Sequence, residues 1–396
     1  MTRPGSSGTW PVLSVPRTLC AAGAIAALAG ELAALGVQRP LLVTDKGVLA
    51  AGLVAQLIAA HGDPAAIVIF DGVTENPLFS DVDNGVALYI RQACDGVIAL
   101  GGGSVIDTAK FIALLATNSG SVADYAGKPN VPHGASAALI VIPTTAGTGS
   151  EASHSSGIHP DAKTASVGMS SRHLIPALAI LDPVMTVGLP ARLTAATGID
   201  ALSHCIEGYL SNKDQPLGAA IALDGIARVS AGLRRAFANP QDLDARTEMM
   251  LAAFAGGVSI GMGLGPAHAI ALACSDQGFH HGVLSGIGLV ASLDATALHA
   301  PQRMVAINQA FGLPASASLT SAIAALMREL GLPATLAELG YAAADVPKLA
   351  DFAQRSHFNL FAPFHPDADQ YAAMFQKSLA PPVLHATIQP DTKEST

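Results

Sequence analysis

GVIALGGGSVIDTAK, residues 96–110, combines a short apolar run, a turn of three glycines and a segment that can open a helix. The run at 96–100 has the length and the Val/Ile content of a buried strand. Glycines let a backbone approach a phosphate group closely, and the first amides of a helix attract anions. The stretch therefore predicts a strand-turn-helix unit of an α/β fold with a phosphate-binding turn at residues 101–104.

Similar short runs, rich in Val and Ile, occur on both sides of this stretch and alternate with longer alanine-rich segments. They are residues 40–44, 66–70, 138–143 and 177–181. Runs of this kind, bounded by Gly, Pro or Asp, are typical of buried parallel strands separated by helices. We therefore expect a parallel sheet in the first half of the chain.

The second half has a different pattern, because strand-like runs become rare after Asp182-Pro183. Long helical stretches replace them at 193–210, 219–237, 246–257 and 318–330. Gly188-Leu189-Pro190 predicts a hinge or a boundary between the two halves. We predict an α/β dinucleotide-binding domain at 1–187, with a loose tail at 1–11, and an all-helical metal-binding and substrate domain at 188–396.

Composition limits the classes of partner. The 396 residues are 50% hydrophobic and 13% charged, with a formal charge of −9 and no run of basic residues. Two large cores are therefore expected, and nucleic acid or an anionic membrane is disfavoured because both require a basic surface. A small molecule is the expected partner.

The spacing of the cysteines and the composition of the N-terminal region favour a cytoplasmic protein. The four cysteines are scattered without disulfide-framework spacing, which indicates a reducing compartment. Residues 19–35 are alanine-rich, but Glu31 interrupts them and Arg17 alone is a thin basic region, so an early buried helix is favoured over a signal peptide. No uninterrupted apolar run of about 18 residues suggests a membrane span.

A second glycine-bearing loop, PTTAGTGSE at 143–151, also follows a predicted strand. Two such loops at the carboxyl ends of parallel strands form the crevice in which nucleotides bind in open α/β folds. Asp45, just after the run at 40–44, can accept hydrogen bonds from a ribose or can cap a helix, and the sequence leaves both open.

The metal candidates lie further along the chain. Asp200 and His204 share one face of a predicted helix because they are four residues apart, although such a pair alone is more often a local polar contact. His268 and His281 have small neighbours that leave room for a ligand. One carboxylate and three imidazoles suit Fe²⁺ or Zn²⁺, and ligand chemistry does not decide between them.

Taken together, four linked motifs resemble the iron-containing (group III) alcohol dehydrogenase family over residues 38–285. They are GGGS-x2-D-x-AK at 101–110, PTTAGTGSE at 143–151, TAATGIDALSHCIE at 194–207, and the distal GLG-x2-HA and HG elements. The resemblance implies a dehydroquinate synthase-like fold, with the active site in a cleft between the α/β domain and the helical domain. It also suggests a homodimer.

The resemblance implies particular site residues. Asp200, His204, His268 and His281 would bind the ion. The NAD site would be lined by Asp45, Asn76, Gly102, Gly103, Ser104, Thr144, Thr145, Thr148 and Leu181. The Asp45 match favours NAD over NADP, because its charge repels the extra phosphate.

This chain departs from the family pattern at three places. Leu272 stands where the family usually has a histidine thought to assist proton transfer. The spacing from His268 to His281 is 13, one shorter than expected, and His280 adjoins His281, so either could be the fourth ligand. Gly282 favours His281, and His280 is then a candidate catalytic group beside it, facing the substrate.

A third departure concerns a lysine that the family often has near the cofactor. Ser166 occupies that position, and Lys163, three residues earlier, is expected to be a solvated loop lysine. Residues 356–363 and the surroundings of His154 are candidates for the border of the substrate pocket.

The implied reaction is hydride transfer between a small alcohol and NAD, with the metal as Lewis acid, and the reverse reduction of an aldehyde or ketone. One alternative is a relative acting on a carboxylate-bearing substrate, such as a 4-hydroxybutyrate dehydrogenase or a maleylacetate reductase. A non-catalytic nucleotide-binding or metal-binding protein is the alternative from another class.

Overall fold

The structure is a computed structural model and describes residues 13–128, 131, 133–213 and 215–380. The predicted loose tail at 1–11 lies outside the described residues. The strands are β1 (Arg17–Cys20), β2 (Pro40–Val43), β3 (Val68–Phe70), β4 (Gly96–Gly101), β5 (Leu139–Pro143), β6 (Ser155–Ile158), β7 (Val167–Ser170) and β8 (Leu178–Leu181).

Helices surround and follow the strands. The α-helices are α1 (Leu28–Ala34), α2 (Lys46–Ala50), α3 (Leu53–His61), α4 (Phe79–Arg91), α5 (Gly103–Leu115), α6 (Val122–Tyr125), α7 (Ala191–Leu210), α8 (Pro216–Ala238), α9 (Leu243–Ile260), α10 (Pro266–Ala273), α11 (His281–Ala297), α12 (Pro301–Ala310), α13 (Leu319–Glu329), α14 (Val346–Gln354) and α15 (Ala368–Leu379). Short 3₁₀ turns occupy Ala24–Ala27, Arg172–Leu174, Pro183–Thr186, Ser275–Gln277, Ala337–Leu339, Ala343–Asp345 and His357–Phe361.

Six strands form one parallel sheet in the order β1-β8-β5-β4-β2-β3. Every residue of β4 and β5 is buried, because helices cover both faces of the sheet. Alternate residues serve two cores, with Val97 and Ala99 on one face and Ile98 and Leu100 on the other. The predicted parallel α/β region is confirmed.

The prediction of one helix over residues 19–35 is wrong in its first part. Leu19 and Cys20 belong to the edge strand β1, which pairs in parallel with β8. The helical part begins at Ala24 as a 3₁₀ turn and continues as α1. An edge strand of four residues leaves no long apolar run, so pairing with β8 decides its conformation.

A small antiparallel sheet of β6 and β7 was not predicted. Its strands are rich in serine and glycine, which gives them no apolar alternation. Lys163 lies in the exposed turn between the two strands, where the backbone amides of Lys163 and Thr164 donate to Asp161 Oδ1.

Beyond Leu181, the described residues form helices, turns and loops, as predicted for the second half. α7 is buried along nearly all its length and packs against α8, α9 and α11. By length and composition alone, α8 is long and apolar enough to cross a membrane. That composition is also that of a core helix, and α8 packs closely on α7 and α9.

Candidate metal and nucleotide site

The predicted helical pair lies at the centre of the helical region. Asp200 and His204 are one turn apart on α7, with 2% and 4% of their surfaces exposed. His204 Nε2 lies 4.0 Å from Asp200 Oδ1, a separation that suits two donors to one ion better than a hydrogen bond. Ser285 on α11 donates a hydrogen bond of 3.0 Å to the same Asp200 oxygen.

The third predicted donor comes from α10. The His268 ring stacks on the His204 ring with the centroids 4.8 Å apart. His268 Nδ1 lies 2.6 Å from Glu207 Oε2, whereas its Nε2 is buried and has no hydrogen-bond partner among the described residues. An unpartnered buried nitrogen is costly unless a ligand occupies it, so His268 Nε2 is available to a metal.

The structure brings His281, and not His280, to this cluster. Donor atoms of Asp200, His204, His268 and His281 all lie within 4.8 Å of one another. His281 Nε2 is 3.8 Å from Asp200 Oδ1, and 49% of its side chain is exposed. His280 instead caps α11, because its Nδ1 accepts a hydrogen bond of 3.1 Å from Gly282 N.

The charges of the cluster fit a divalent cation. Burial lowers the pKa of His204 to about 4, although Asp200 opposes the shift, so the imidazole is neutral and its lone pair is free near pH 7. Burial alone would raise the pKa of Asp200, but His204, His281 and His268 bring it below its ordinary value. Neutral imidazoles and an ionised carboxylate are the forms that bind Fe²⁺ or Zn²⁺.

The predicted nucleotide residues lie at the carboxyl ends of neighbouring strands. Gly102 and Gly103 begin α5, and a Cβ added to Gly103 would lie 2.6 Å from Thr148 Cγ2 in the loop after β5. No side chain of the described residues caps α5 at Gly102, which leaves the first amides of the helix available to an anion. The two glycine-bearing loops thus form one cradle.

The remaining predicted contacts surround this cradle. Thr144 N donates to Gly101 O over 3.0 Å, and Thr145 lies against Gly102. Ser104 Oγ donates to Glu75 O, which ties the glycine turn to the loop that carries the exposed Asn76. Leu181 is buried at the end of β8.

Asp45 is the N-cap of α2. Its Oδ1 accepts a hydrogen bond of 2.8 Å from Val48 N, so the capping role is real. Because a carboxylate has a second oxygen, the cap leaves an acceptor at the end of β2 that can still meet a ribose.

Close backbone contacts join the glycine-bearing loop after β5 to helices α9 and α7. A Cβ on Gly257 of α9 would lie 1.9 Å from Gly149 O, and one on Gly147 would lie 2.5 Å from Thr197 Cβ on α7. Gly149 has a φ of +65°, a conformation that favours glycine. The nucleotide cradle therefore abuts the helix that carries Asp200 and His204.

Comparison with known proteins decides the family. The sequence profile described as "Iron-containing alcohol dehydrogenase" matches residues 16–183, and that described as "Fe-containing alcohol dehydrogenase family, C-terminal" matches residues 194–379. The chain belongs to the iron-containing alcohol dehydrogenase family. The predicted family and fold, and the prediction of an oxidoreductase, are confirmed.

Several members of the iron-containing alcohol dehydrogenase family are similar over almost their whole length. A 4-hydroxybutyrate dehydrogenase of Cupriavidus necator is 38% identical over 90% of this chain and 96% of its own. A 1,3-propanediol dehydrogenase of Klebsiella pneumoniae is 32% identical, over 87% and 92% of the two chains.

Solved structures of similar proteins share the fold of this chain. A 1,3-propanediol oxidoreductase has a TM-score of 0.87 at 30% identity, covering 93% of this chain and 99% of its own. A sulfoacetaldehyde reductase from Bifidobacterium kashiwanohense, solved in complex with NAD⁺, has a TM-score of 0.87 at 25% identity, covering 94% and 100%.

Leu272 stands where the family resemblance led us to expect a histidine. It lies one turn after His268 on α10 and is half-buried. Phe358, from the segment predicted to border the pocket, places its ring 5.5 Å from the His268 ring. An apolar wall thus adjoins the metal cluster.

Sequence reasoning missed a buried polar network behind the nucleotide loop. Lys110 is fully buried, and its Nζ donates 2.7 Å hydrogen bonds to Ser153 O and Ser155 O. Asp107 accepts from Ser150 Oγ over 2.7 Å. These contacts tie α5 to the loop after β5. Both residues were part of the quoted GGGS-x2-D-x-AK motif, which was the available signal.

Glu207 was missed as well, although it ends the quoted motif at 194–207. It lies three residues after His204, on the same face of α7, and accepts hydrogen bonds from α10. The spacing between His204 and Glu207 was visible in the sequence, but the contact of Glu207 with α10 was not.

Proposed function

We propose that this chain is a metal-dependent, NAD-linked alcohol dehydrogenase that interconverts a small alcohol and the corresponding aldehyde or ketone. The observation that carries the proposal is the convergence of Asp200, His204, His268 and His281 within 4.8 Å, beside the glycine cradle. The solved relative with NAD⁺ supports the choice of cofactor.

Each part of the site has a distinct task. When bound, a divalent ion would supply Lewis acidity and NAD would supply the redox chemistry. Asp200, His204, His268 and His281 hold the ion, and the free amides of α5 bind the pyrophosphate. The close approach of Gly147 to Thr197 on α7, supported by the Gly149–Gly257 contact with α9, sets the distance between the two, and Phe358 limits water beside His268.

A carboxylate-bearing substrate is the second candidate. The relative that is 38% identical over 371 residues is a 4-hydroxybutyrate dehydrogenase. Lys213, just beyond α7, is half-buried and forms no salt bridge with the carboxylates of the described residues. Its Nζ donates to Gly261 O over 3.0 Å and lies 4.1 Å from the centre of the Phe361 ring, one turn from Phe358. This cation suits a substrate carboxylate.

The experiment combines elemental analysis of the purified protein with NADH oxidation against butanal, propanal, acetone and succinic semialdehyde. A bound first-row metal and turnover of the neutral aldehydes support the first candidate. A KM for succinic semialdehyde at least tenfold below that for butanal, lost in Lys213→Gln, supports the second. Absence of turnover with every substrate in the metal-loaded protein contradicts both.

We further propose a homodimer in a reducing, cytoplasmic compartment. The four cysteines are free, which supports a reducing compartment, and the acidic composition disfavours an anionic surface as partner. Light scattering of the purified protein tests whether it is a homodimer, and a fluorescent fusion tests whether it is cytoplasmic. A monomer, or a signal outside the cytoplasm, would contradict them.

A further inference from the structure

Glu207 links two helices that carry metal donors. It projects from α7, the helix of Asp200 and His204, and its carboxylate receives three hydrogen bonds from the start of α10. Glu207 is 5% exposed. Its only salt-bridge partner among the described residues is His268. No lysine or arginine of the described residues pairs with this carboxylate, so a positive charge nearby would offset the cost of its desolvation.

Two of the three hydrogen bonds are those of a helix cap. Ala267 N donates to Glu207 Oε1 over 2.7 Å, and His268 N donates to Oε2 over 3.2 Å. Gly265, the N-cap residue of α10, has no side chain to accept them. A Cβ on Gly265 would lie 2.9 Å from Glu207 Oε1, so glycine leaves the space that the carboxylate fills.

The third hydrogen bond sets the tautomer of His268. Its Nδ1 lies 2.6 Å from Glu207 Oε2, and a carboxylate only accepts, so the proton belongs on Nδ1. The lone pair of the neutral ring is then on Nε2, the atom that is buried without a partner. A carboxylate that accepts a hydrogen bond from a metal-binding imidazole, as Glu207 does from His268, also makes that imidazole a more basic ligand.

We propose that Glu207 is a positioning residue of the metal centre, which fixes His268 with Nε2 toward the ion and at the same time caps α10. This inference rests on the proposed metal site but not on the identity of the substrate or of NAD. With Asp200, Glu207 brings two negative charges to a divalent cation, so the buried centre is neutral when the ion is bound.

Glu207→Gln separates the tautomer from the cap. The amide oxygen can still accept from Ala267 N, but the amide NH₂ then takes the place of Oε2 and donates to His268 Nδ1, so His268 N loses its acceptor and one of the two cap hydrogen bonds remains. That arrangement moves the ring proton to Nε2 and blocks the metal lone pair. The affinity for the ion should fall by about 10- to 100-fold, while the metal-free protein should still fold and unfold only slightly below the wild-type temperature, because one cap hydrogen bond remains.

The test is titration of the chelator-stripped full chain with Co²⁺, followed by visible absorption, alongside thermal unfolding of the metal-free protein. Glu248→Gln is the matched control, because Glu248 lies in the same helical region and pairs with Arg228 instead. Gly265→Ala is the second variant, since its methyl group displaces the Glu207 carboxylate. Gly265→Ala should also weaken Co²⁺ binding. It provides the test on its own if Glu207→Gln does not fold.

The outcomes are distinct. Weaker Co²⁺ binding in Glu207→Gln or Gly265→Ala, with Glu248→Gln unchanged, supports the inference. Wild-type Co²⁺ affinity within twofold in both variants overturns it, even if the metal-free protein is destabilised, because Glu207 is then a cap only. If the wild-type chain binds no Co²⁺, the proposed metal centre itself fails, and the inference fails with it.

Discussion

Glu151 shows how burial sets the behaviour of a single residue in this protein. It ends the nucleotide loop, is 3% exposed, and its pKa is raised by burial to about 7, although Lys110 opposes the shift. Burial likewise lowers the pKa of Lys110 to about 8. Both residues are recognisable in the sequence as parts of motifs, but their environments come from the fold.

Glu151 should make stability fall as pH rises. The folded state holds the Glu151 proton up to about pH 7, whereas the unfolded state releases it near pH 4.5. The folded state therefore binds more protons in this window, and the contribution present below pH 4.5 is lost by pH 7. About 2.5 pKa units correspond to a loss of about 3 kcal/mol.

Urea denaturation at pH 5 and pH 7.5 measures this effect. Relative to Glu151→Gln, the wild-type free energy of unfolding should drop by up to about 3 kcal/mol between the two pH values. The exposed Glu329→Gln should show no such difference. Equal gaps at both pH values would show that Glu151 is ionised in the folded state.

His280 and His281 are adjacent but have different tasks in the structure. His281→Ala should remove a donor to the ion, and the metal content after dialysis should fall well below stoichiometric. His280→Ala should retain the metal and lose about 1 kcal/mol of stability, because it removes the cap of α11. Metal analysis of both purified variants checks this. Retention by His281→Ala together with loss by His280→Ala would reverse the ligand assignment.

At the scale of elements, the site depends on how closely the loop after β5 approaches α9. Gly149 and Gly257 face each other across this contact, and neither leaves room for a side chain. The strand-turn-helix order was predictable from apolar runs and glycines. The contact was not, because the two glycines are far apart in the chain and only packing brings them together.

Gly257→Ala should push the nucleotide loop away from α9. The added methyl group would lie 1.9 Å from Gly149 O, so the backbone must shift. We expect the dissociation constant for NADH to rise at least tenfold while Co²⁺ binding stays within threefold of wild type. Fluorescence titration with NADH measures the first quantity.

The matched control is Gly30→Ala, which adds the same methyl group to α1 in open space. It should leave NADH binding unchanged. If Gly257→Ala binds NADH like the wild type, the contact does not position the cradle.

At the scale of the whole molecule, the metal should stabilise the helical region, since the four donors come from α7, α10 and α11. An ion at about 100 times its Kd adds about 2.7 kcal/mol to the folded state. Adding Co²⁺ to the stripped protein should therefore raise the unfolding temperature. In His204→Ala the increase should vanish, and an equal increase in that variant would place the ion elsewhere.

The sequence by itself determined the local chemistry of this protein. Parallel strands followed from Val/Ile runs, the turn between β4 and α5 from its glycines, and the shared helix face of Asp200 and His204 from a spacing of four, because each depends on near neighbours. Gly282 already favoured His281 as the ligand, but only the tertiary structure placed it in the cluster, gave His280 the cap of α11 and brought Glu207 to His268. Those contacts join residues from separate helices, and their geometry depends on packing that no local pattern encodes.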